Sequence, residues 1–434
     1  MTETKSIDAA APTAATGVPN KSKPHALNLS LKDWTHWTDT WNLASSSTPD
    51  STPDSTPTST QDRIEPGNTT PDRGAPRAVA PAYLGKQIRR WLFQRGTESP
   101  EQMSDLGAAI RKTLASEFDW SLDSLLTVNQ YISSADGSEK ILFRTMDGRF
   151  AECVLMPSPD RVTVCISSQV GCRMACTFCQ TGKIGFSRNL SSGEILGQIL
   201  LCQKRLAERG APRTRITNVV FMGMGEPLDN IDAVIEACQT MVDPNGFGMS
   251  KHRVTVSTCG LVPEIERLGQ SVAVSLAISL HAANDRLRSS MMPINKRYDL
   301  ETLKQALLTY PVQTRHGITF EYVLINGVND SLTDAKQLVR FVHGLKAKVN
   351  LIPMNPHPGS PMTQSHESQI RAFQSYLSAR SIPAPVRYSR GQDVSGACGQ
   401  LAAKKKEELD IAPRQVALAR RREQIQERAQ GSAT

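Results

Sequence analysis

Six short runs rich in β-branched and apolar residues recur through the chain: VTVCIS, TNVVFMG, HRVTVST, VAVSLAISL, ITFEYVLI and VNLIPM. Longer amphipathic segments separate most of them, such as GEILGQILLCQKRLAERG and LTDAKQLVRFVHGLK. Strands alternating with helices dictate right-handed βαβ units and a parallel sheet. Six such units can close, or partly close, into a barrel. The expected fold class is therefore α/β, a partial (β/α)6 barrel. With 434 residues, of which 39% are hydrophobic, the chain can fill such a core and still carry a small second domain and tails.

The flanks read differently. LGKQIRRWLFQRG and EQMSDLGAAIRKTLASEF have the apolar spacing of two helices. ILFRTMDGRFAECVLMP and RVTVCISS then alternate around an Asp-Gly turn, which predicts a strand extension of the sheet. Residues 44–82 are dominated by Ser, Thr, Pro, Asp and Gly, with a repeat in STPDSTPDSTPT. Such sequence buries too little apolar surface to offset its ordering entropy. The expected division is a disordered extension over 1–82, a small accessory domain over 83–150, a core over 151–400 and a basic tail over 401–434. Within the extension, Leu27, Leu31, Trp34, Trp37 and Trp41 recur at helical spacing. That pattern fits either a short docking helix or an aromatic patch without a role.

The loops after the six strands are SSQVGC, MGEPLDN, TCG, HAAND, NGVND and NPHPG, all rich in Gly, Asn, Asp or His. In a parallel α/β barrel such loops share the C-terminal face, where sites are built. The first holds Cys172, Cys176 and Cys179 in a C-x3-C-x2-C spacing with no obvious fourth ligand. A structural zinc site closes with four ligands, whereas three thiolates on a [4Fe–4S] cluster leave one iron open. Zinc held by three cysteines and a histidine, or three incidental cysteines, are the competing readings. Nine cysteines, odd in number and locally clustered, suit a reducing compartment and a metal site better than a disulfide scaffold.

Three cysteines in this spacing, in the loop after the first strand of a (β/α) array, resemble the radical SAM superfamily. There the open iron binds S-adenosylmethionine (SAM), and reduction yields a 5′-deoxyadenosyl radical. The resemblance goes further. CISSQVGC, GMGEPL, VSTCG, SLHA, IPMNPHPG and RGQDVSGACGQL, in that order and spread over most of residues 83–402, resemble the RlmN/Cfr branch of adenosine methyltransferases acting on RNA. The resemblance implies that Cys172, Cys176 and Cys179 hold the cluster, and that Gly225, Glu226, Ser257, Ser279, Leu280, His281 and Asn355 contact SAM, two molecules of which serve each turnover. It also implies that Cys398 accepts a methyl group, that Cys165 later attacks the Cys398 sulfur to leave a disulfide, and that Glu152, 13 residues before Cys165, takes the proton from the ring carbon. Cys153, Cys202, Cys238 and Cys259 receive no such role.

The net charge of +8 is uneven: residues 1–82 hold 7 Lys and Arg against 9 Asp and Glu, leaving 43 against 33 for the rest. A basic folded part is compatible with an RNA partner. The resemblance implies 23S rRNA and tRNA as substrates, adenine C2 as the methylated carbon, and a flavodoxin or ferredoxin as electron donor. Methylation at C8 by the same residues, a small-molecule radical SAM reaction, and a non-catalytic iron–sulfur RNA-binding protein are the alternatives. The paired cysteines argue against the last two. No apolar stretch of membrane-spanning length and no secretory leader is evident, so the expectation is a cytoplasmic monomer.

Overall fold

The computed structural model describes residues 4–6, 23–46, 81–312, 317–356 and 360–388. In chain order its elements are β1 (Thr4–Ser6), α1 (Leu31–Ser46), α2 (Pro81–Gln94), α3 (Ala108–Glu117), β2 (Leu126–Ser133), β3 (Glu139–Thr145), β4 (Phe150–Pro157), β5 (Val162–Cys165) and β6 (Gln169–Gly171). There follow α4 (Gln180–Ile184), β7 (Phe186–Asn189), α5 (Ser192–Glu208), β8 (Asn218–Phe221), α6 (Ile231–Val242), β9 (Val254–Thr258), α7 (Val262–Ser271) and β10 (Ser275–Ser279). The chain continues through α8 (Asp285–Met291), α9 (Leu300–Thr309), β11 (Ile318–Leu324), α10 (Leu332–Val342), β12 (Ala347–Pro353) and α11 (Glu367–Ser378). Among the described residues no helix is long and apolar enough to cross a membrane.

Ten strands form one sheet in the order β1-β2-β3-β4-β5-β8-β9-β10-β11-β12. From β5 to β12 every pairing is parallel, and these are the six runs read from the sequence. The order does not return from β12 to β5, so the array is a partial (β/α)6 barrel. β1 to β4 are antiparallel and extend the sheet past β5. Side chains alternate between faces along each strand. Val164, Val219, Val256, Ile278 and Phe320 are buried on the helix-covered face. The opposite face carries Cys165, Val220, Thr255, Ser257, Ser279, Glu321 and Asn350, brought into neighbouring rows by the pairings Cys165↔Val220, Val220↔Thr255, Ser279↔Glu321 and Glu321↔Asn350. That inner face points polar groups into the barrel.

The boundary expected near Tyr83 is corrected at two places, the first being β1, residues 4–6, which pairs with β2. Residues 23–46, inside the extension expected to be disordered, fold onto the chain. His25 Nδ1 accepts from Leu27 N (3.0 Å), Ala26 N donates to Asp119 O (2.8 Å), and Asn28 Oδ1 accepts from Gly193 N (2.9 Å) at the start of α5. Trp34 of α1 is fully buried, its ring centroid 5.1 Å from Phe118 and 5.9 Å from Trp120. The helical aromatic spacing thus reports a face covered by the chain itself. Residues 47–80 and 401–434, to which the low-complexity and basic-tail expectations apply, lie outside the described residues.

Candidate active site

The cysteine loop is built by what precedes it. β5 ends at Cys165, and Ser167 then joins three elements at once. Its N–H donates to Gln198 Oε1 (2.8 Å) on α5, its hydroxyl donates to Glu152 O (2.6 Å) on β4, and the same Oγ accepts from Met224 N (2.8 Å) after β8. Gln169 donates to Asn189 Oδ1 (2.9 Å) and Asp229 Oδ2 (2.8 Å), while its Oε1 accepts from Glu226 N (2.9 Å). Asn230 donates to Ser168 O (2.9 Å) and Leu190 O (2.8 Å). The SSQVG and GMGEPLDN stretches are therefore one hydrogen-bonded unit. Gly225, at φ +104°, permits the approach, since a Cβ there would lie 2.6 Å from Gln169 Cβ.

β6 and β7 form an antiparallel hairpin whose loop carries all three cysteines. Cys172 N donates to Gly185 O (3.1 Å) at its base, and Thr177 N donates to Met291 O (2.9 Å) at the end of α8 on the far side of the barrel. The loop thus spans the mouth of the inner face. Cys172, Cys176, Cys179, Gly225, Glu226, Ser257, Ser279 and His281 line one cavity of about 240 Å³, together with Cys259 and Glu321. A larger cavity of about 780 Å³ lies between α2 and α5, but none of the cysteines or strand-end polar residues line it. The chemistry selects the smaller one.

Glu226 is buried. Its Oε2 accepts from Cys259 N (2.9 Å) and its Oε1 from Leu228 N (3.1 Å), yet burial outweighs these bonds and pushes its pKa up. A carboxylate so placed favours a cationic partner. His281, at φ +58°, accepts at Nδ1 from Val323 N (3.0 Å) and packs edge-on against Phe178 (4.7 Å). Burial, aided by the charge of Arg288, lowers its pKa to about 3, so it is neutral and serves no acid–base role near neutrality. Leu280 has no exposed surface, packs in the hydrophobic core and does not line the cavity. Asn355 is half-buried beyond β12 and does not line the cavity. Cys398 lies outside the described residues.

On the same inner face, beyond the cavity, Cys165 and Glu152 occupy adjoining strands. Both are buried, at 6% and 1% exposure. The register pairs Val154 with Cys165 and Leu142 with Glu152. Cys153 faces the other way, its sulfur 3.7 Å from that of Cys202 on α5. Sequence reasoning missed Gln169, Asn230, Arg288 and Glu321. Arg288 is buried and donates to Cys259 O (2.7 Å), Asn295 Oδ1 (2.7 Å), Leu280 O (3.2 Å) and Ser279 O (3.3 Å), tying together the loops after β9 and β10. Glu321 is buried and accepts from Asn350 Nδ2 (2.9 Å). A charged residue inside an apolar strand run, as in ITFEYVLI, was the signal available.

Residues 166–341 match the radical SAM superfamily. A dual-specificity RNA methyltransferase RlmN of Syntrophobacter fumaroxidans is 46% identical over 322 residues, spanning 74% of this chain and 92% of the relative. The chain belongs to the RlmN family of radical SAM RNA methyltransferases. The RlmN of Geobacter sulfurreducens is similarly close, at 47% identity over 322 residues, with 74% of this chain and 86% of that one covered. Among solved structures, a radical SAM methyltransferase from Sphaerobacter thermophilus superposes with a TM-score of 0.71 at 38% identity, covering 87% of this chain and 98% of the other.

RlmN family membership implies a [4Fe–4S] cluster and SAM, and the residues present fit them. Burial lifts the Cys172 thiol to about 12, and burial with the neighbouring Cys179 and Cys172 raises Cys176. Two such thiols release their protons only against a strongly positive group. A cubane cluster takes its thiolates on separate irons, so three cysteines hold it and leave one iron open.

Proposed function

We propose that the protein methylates C2 of an adenosine in 23S rRNA and in tRNA, with the methyl carbon first carried on Cys398. C2 lies between two ring nitrogens and is too electron-poor to attack a sulfonium, whereas a thiolate attacks readily. Cys172, Cys176 and Cys179 would hold the cluster with one iron open, Glu226 would face the SAM ammonium, and Gly225, Ser257, Ser279, the Leu280 backbone, His281 and Asn355 would complete the SAM site. The cluster would supply the electron that turns SAM into a source of a carbon radical. The sulfur-bound methyl of Cys398 would give up one hydrogen atom to that radical and bond through its carbon to C2, with Glu152 taking the C2 proton and the surplus electron returning to the cluster. Cys165 attacks the Cys398 sulfur, so the S–S bond forms as the carbon–sulfur bond breaks, and the departing carbon takes up a proton to become the methyl group.

The observation that carries this reading is the placement of Cys165 and Glu152 on one inner face, next to the cavity lined by the three cysteines and Glu226. The name of the relatives, dual-specificity RNA methyltransferase RlmN, supports RNA as substrate. The adenosine must be splayed out of its stack to reach that face. A flavodoxin or ferredoxin as electron donor, a monomeric state and a cytoplasmic location go with the proposal. Unmodified 23S rRNA fragments and tRNA, incubated anaerobically with reconstituted enzyme, SAM and reductant, are digested to nucleosides. 2-Methyladenosine is the expected product; 8-methyladenosine or none overturns the assignment.

A further inference from the structure

The inner face beside the cavity holds a buried charge that the proposed chemistry leaves without a role. Lys140 of β3 is 2% exposed, and its Nζ lies 3.5 Å from Glu152 Oε1. The register places it in one row with Val154 of β4 and Cys165 of β5, through the pairings Lys140↔Val154 and Val154↔Cys165. Lys140, Glu152 and Cys165 therefore share one face. The covering helix α5 uses the other side, where Arg205 grips Glu139 at 2.8 Å. A buried ion pair is a poor way to stabilise a sheet, because apolar residues of like volume serve as well or better. Its location next to a thiol on the reacting face calls for another reason.

We propose that Lys140 is a positioning residue that holds Glu152 as a carboxylate, aimed along the inner face, until the ring proton is transferred. This rests on the reading of Glu152 as the base. At 1% exposure the Glu152 carboxylate has lost its water, and only that carboxylate can accept the ring proton. The ammonium at 3.5 Å gives that carboxylate a partner in place of water, and Ser167 fixes the backbone through its bond to Glu152 O (2.6 Å). Among the described residues, the charged or titratable groups that face Glu152 from neighbouring strands include Lys140 and Arg144 of β3 and Cys165 of β5; Arg144 is exposed at the strand's end. When the proton leaves C2 for Glu152, the pair passes from Lys⁺–Glu⁻ to Lys⁺–GluH, and no electrons change hands.

The test uses full-length holoenzyme in anaerobic single turnovers with RNA, following the Cys398–RNA adduct and its rate of release against pH. An opposite charge at this range is worth about one to three pKa units to a carboxylate. Lys140→Met should therefore accumulate adduct at neutral pH, release it about tenfold or more slowly, and shift the midpoint of release upward by about one to three pH units. Lys140→Gln, polar but uncharged, is the second variant in case the first does not fold, and should shift the midpoint likewise. Lys140→Arg should restore the wild-type midpoint. A purely structural role would lower iron content and thermal midpoint but leave the pH midpoint in place. That outcome, or an unrestored midpoint in folded Lys140→Arg, overturns the proposal. Glu152→Gln should hold the adduct at every pH. If it releases adduct normally, the reading of Glu152 itself fails, which is distinct from a failure at Lys140 alone.

Discussion

Replacing Gly171 with alanine should open the cysteine loop while leaving the rest of the barrel intact. Gly171 has φ +78°, and a Cβ there would sit 1.7 Å from Gly185 O and 2.9 Å from its carbonyl carbon. Both are backbone atoms, so no rotamer change relieves the clash. The left-handed conformation costs an L-residue about 1–2 kcal/mol. Forcing β6 and β7 apart adds about 1–3 kcal/mol as an overpacking penalty. The Cys172 N–H to Gly185 O bond (3.1 Å) is lost with the displacement, adding about 1 kcal/mol. The sum is about 3–6 kcal/mol, concentrated where Cys172 is held. Gly148, at φ +79° with nothing within 4 Å of its Cβ position, is the control and should lose only about 1–2 kcal/mol on the same change. The assay is iron bound per chain after anaerobic reconstitution, with denaturant unfolding of each variant. Gly171→Ala should fail to retain iron, and Gly148→Ala should retain it. Equal iron content and equal stability in the two variants would refute the argument.

Further consequences follow for other parts of the chain. Trp34→Ala removes a fully buried ring from between Phe118 and Trp120 and should cost about 3–5 kcal/mol, read from urea unfolding; a loss within about 0.5 kcal/mol would mean that residues 23–46 do not belong to the folded unit. His25 has its pKa lowered by burial, and its Nδ1 accepts from Leu27 N, so the fold holds the neutral ring. Its contribution is fully present above the unfolded value of 6.5 and is lost as pH falls toward the lowered folded value. Wild type should therefore lose stability relative to His25→Gln between about pH 7.5 and about pH 5.5, and an unchanged difference would contradict the assignment. Glu226→Gln should weaken SAM binding by roughly 10–100-fold, the worth of a charge-assisted bond, by equilibrium dialysis against labelled SAM; unchanged binding would remove Glu226 from the SAM site.

The parallel half of the fold was legible because buried parallel strands read as β-branched runs, and all six appear where the sequence puts them, from VTVC of β5 to VNLIP of β12. The hairpin of β6 and β7 was not, because strands of three and four residues around glycines carry no period to detect. Residues 23–46 were misassigned for a different reason. The aromatic face of α1 is completed by Phe118 and Trp120, some eighty residues further on, and the low-complexity linker between them has the composition of disorder. At the site, the spacing of Cys172, Cys176 and Cys179 spoke for itself, and the family motifs added Glu226 and His281. What remained hidden were residues whose value is positional. Gln169 looks like any polar strand residue until its amide bridges three loops, and Lys140 reads as an exposed lysine until the register sets it beside Glu152.

The central claim is that the methyl carbon passes through Cys398 and is released by Cys165. The most direct test is the mass of the peptide carrying Cys398, from protein expressed with iron and SAM available, alongside a Cys165→Ala variant examined for bound RNA. The account predicts a Cys398 peptide heavier by one methylene in the wild type, and RNA covalently held at Cys398 in the variant. An unmodified Cys398 in protein that carries an intact cluster and binds SAM, with no RNA retained by Cys165→Ala, would contradict it.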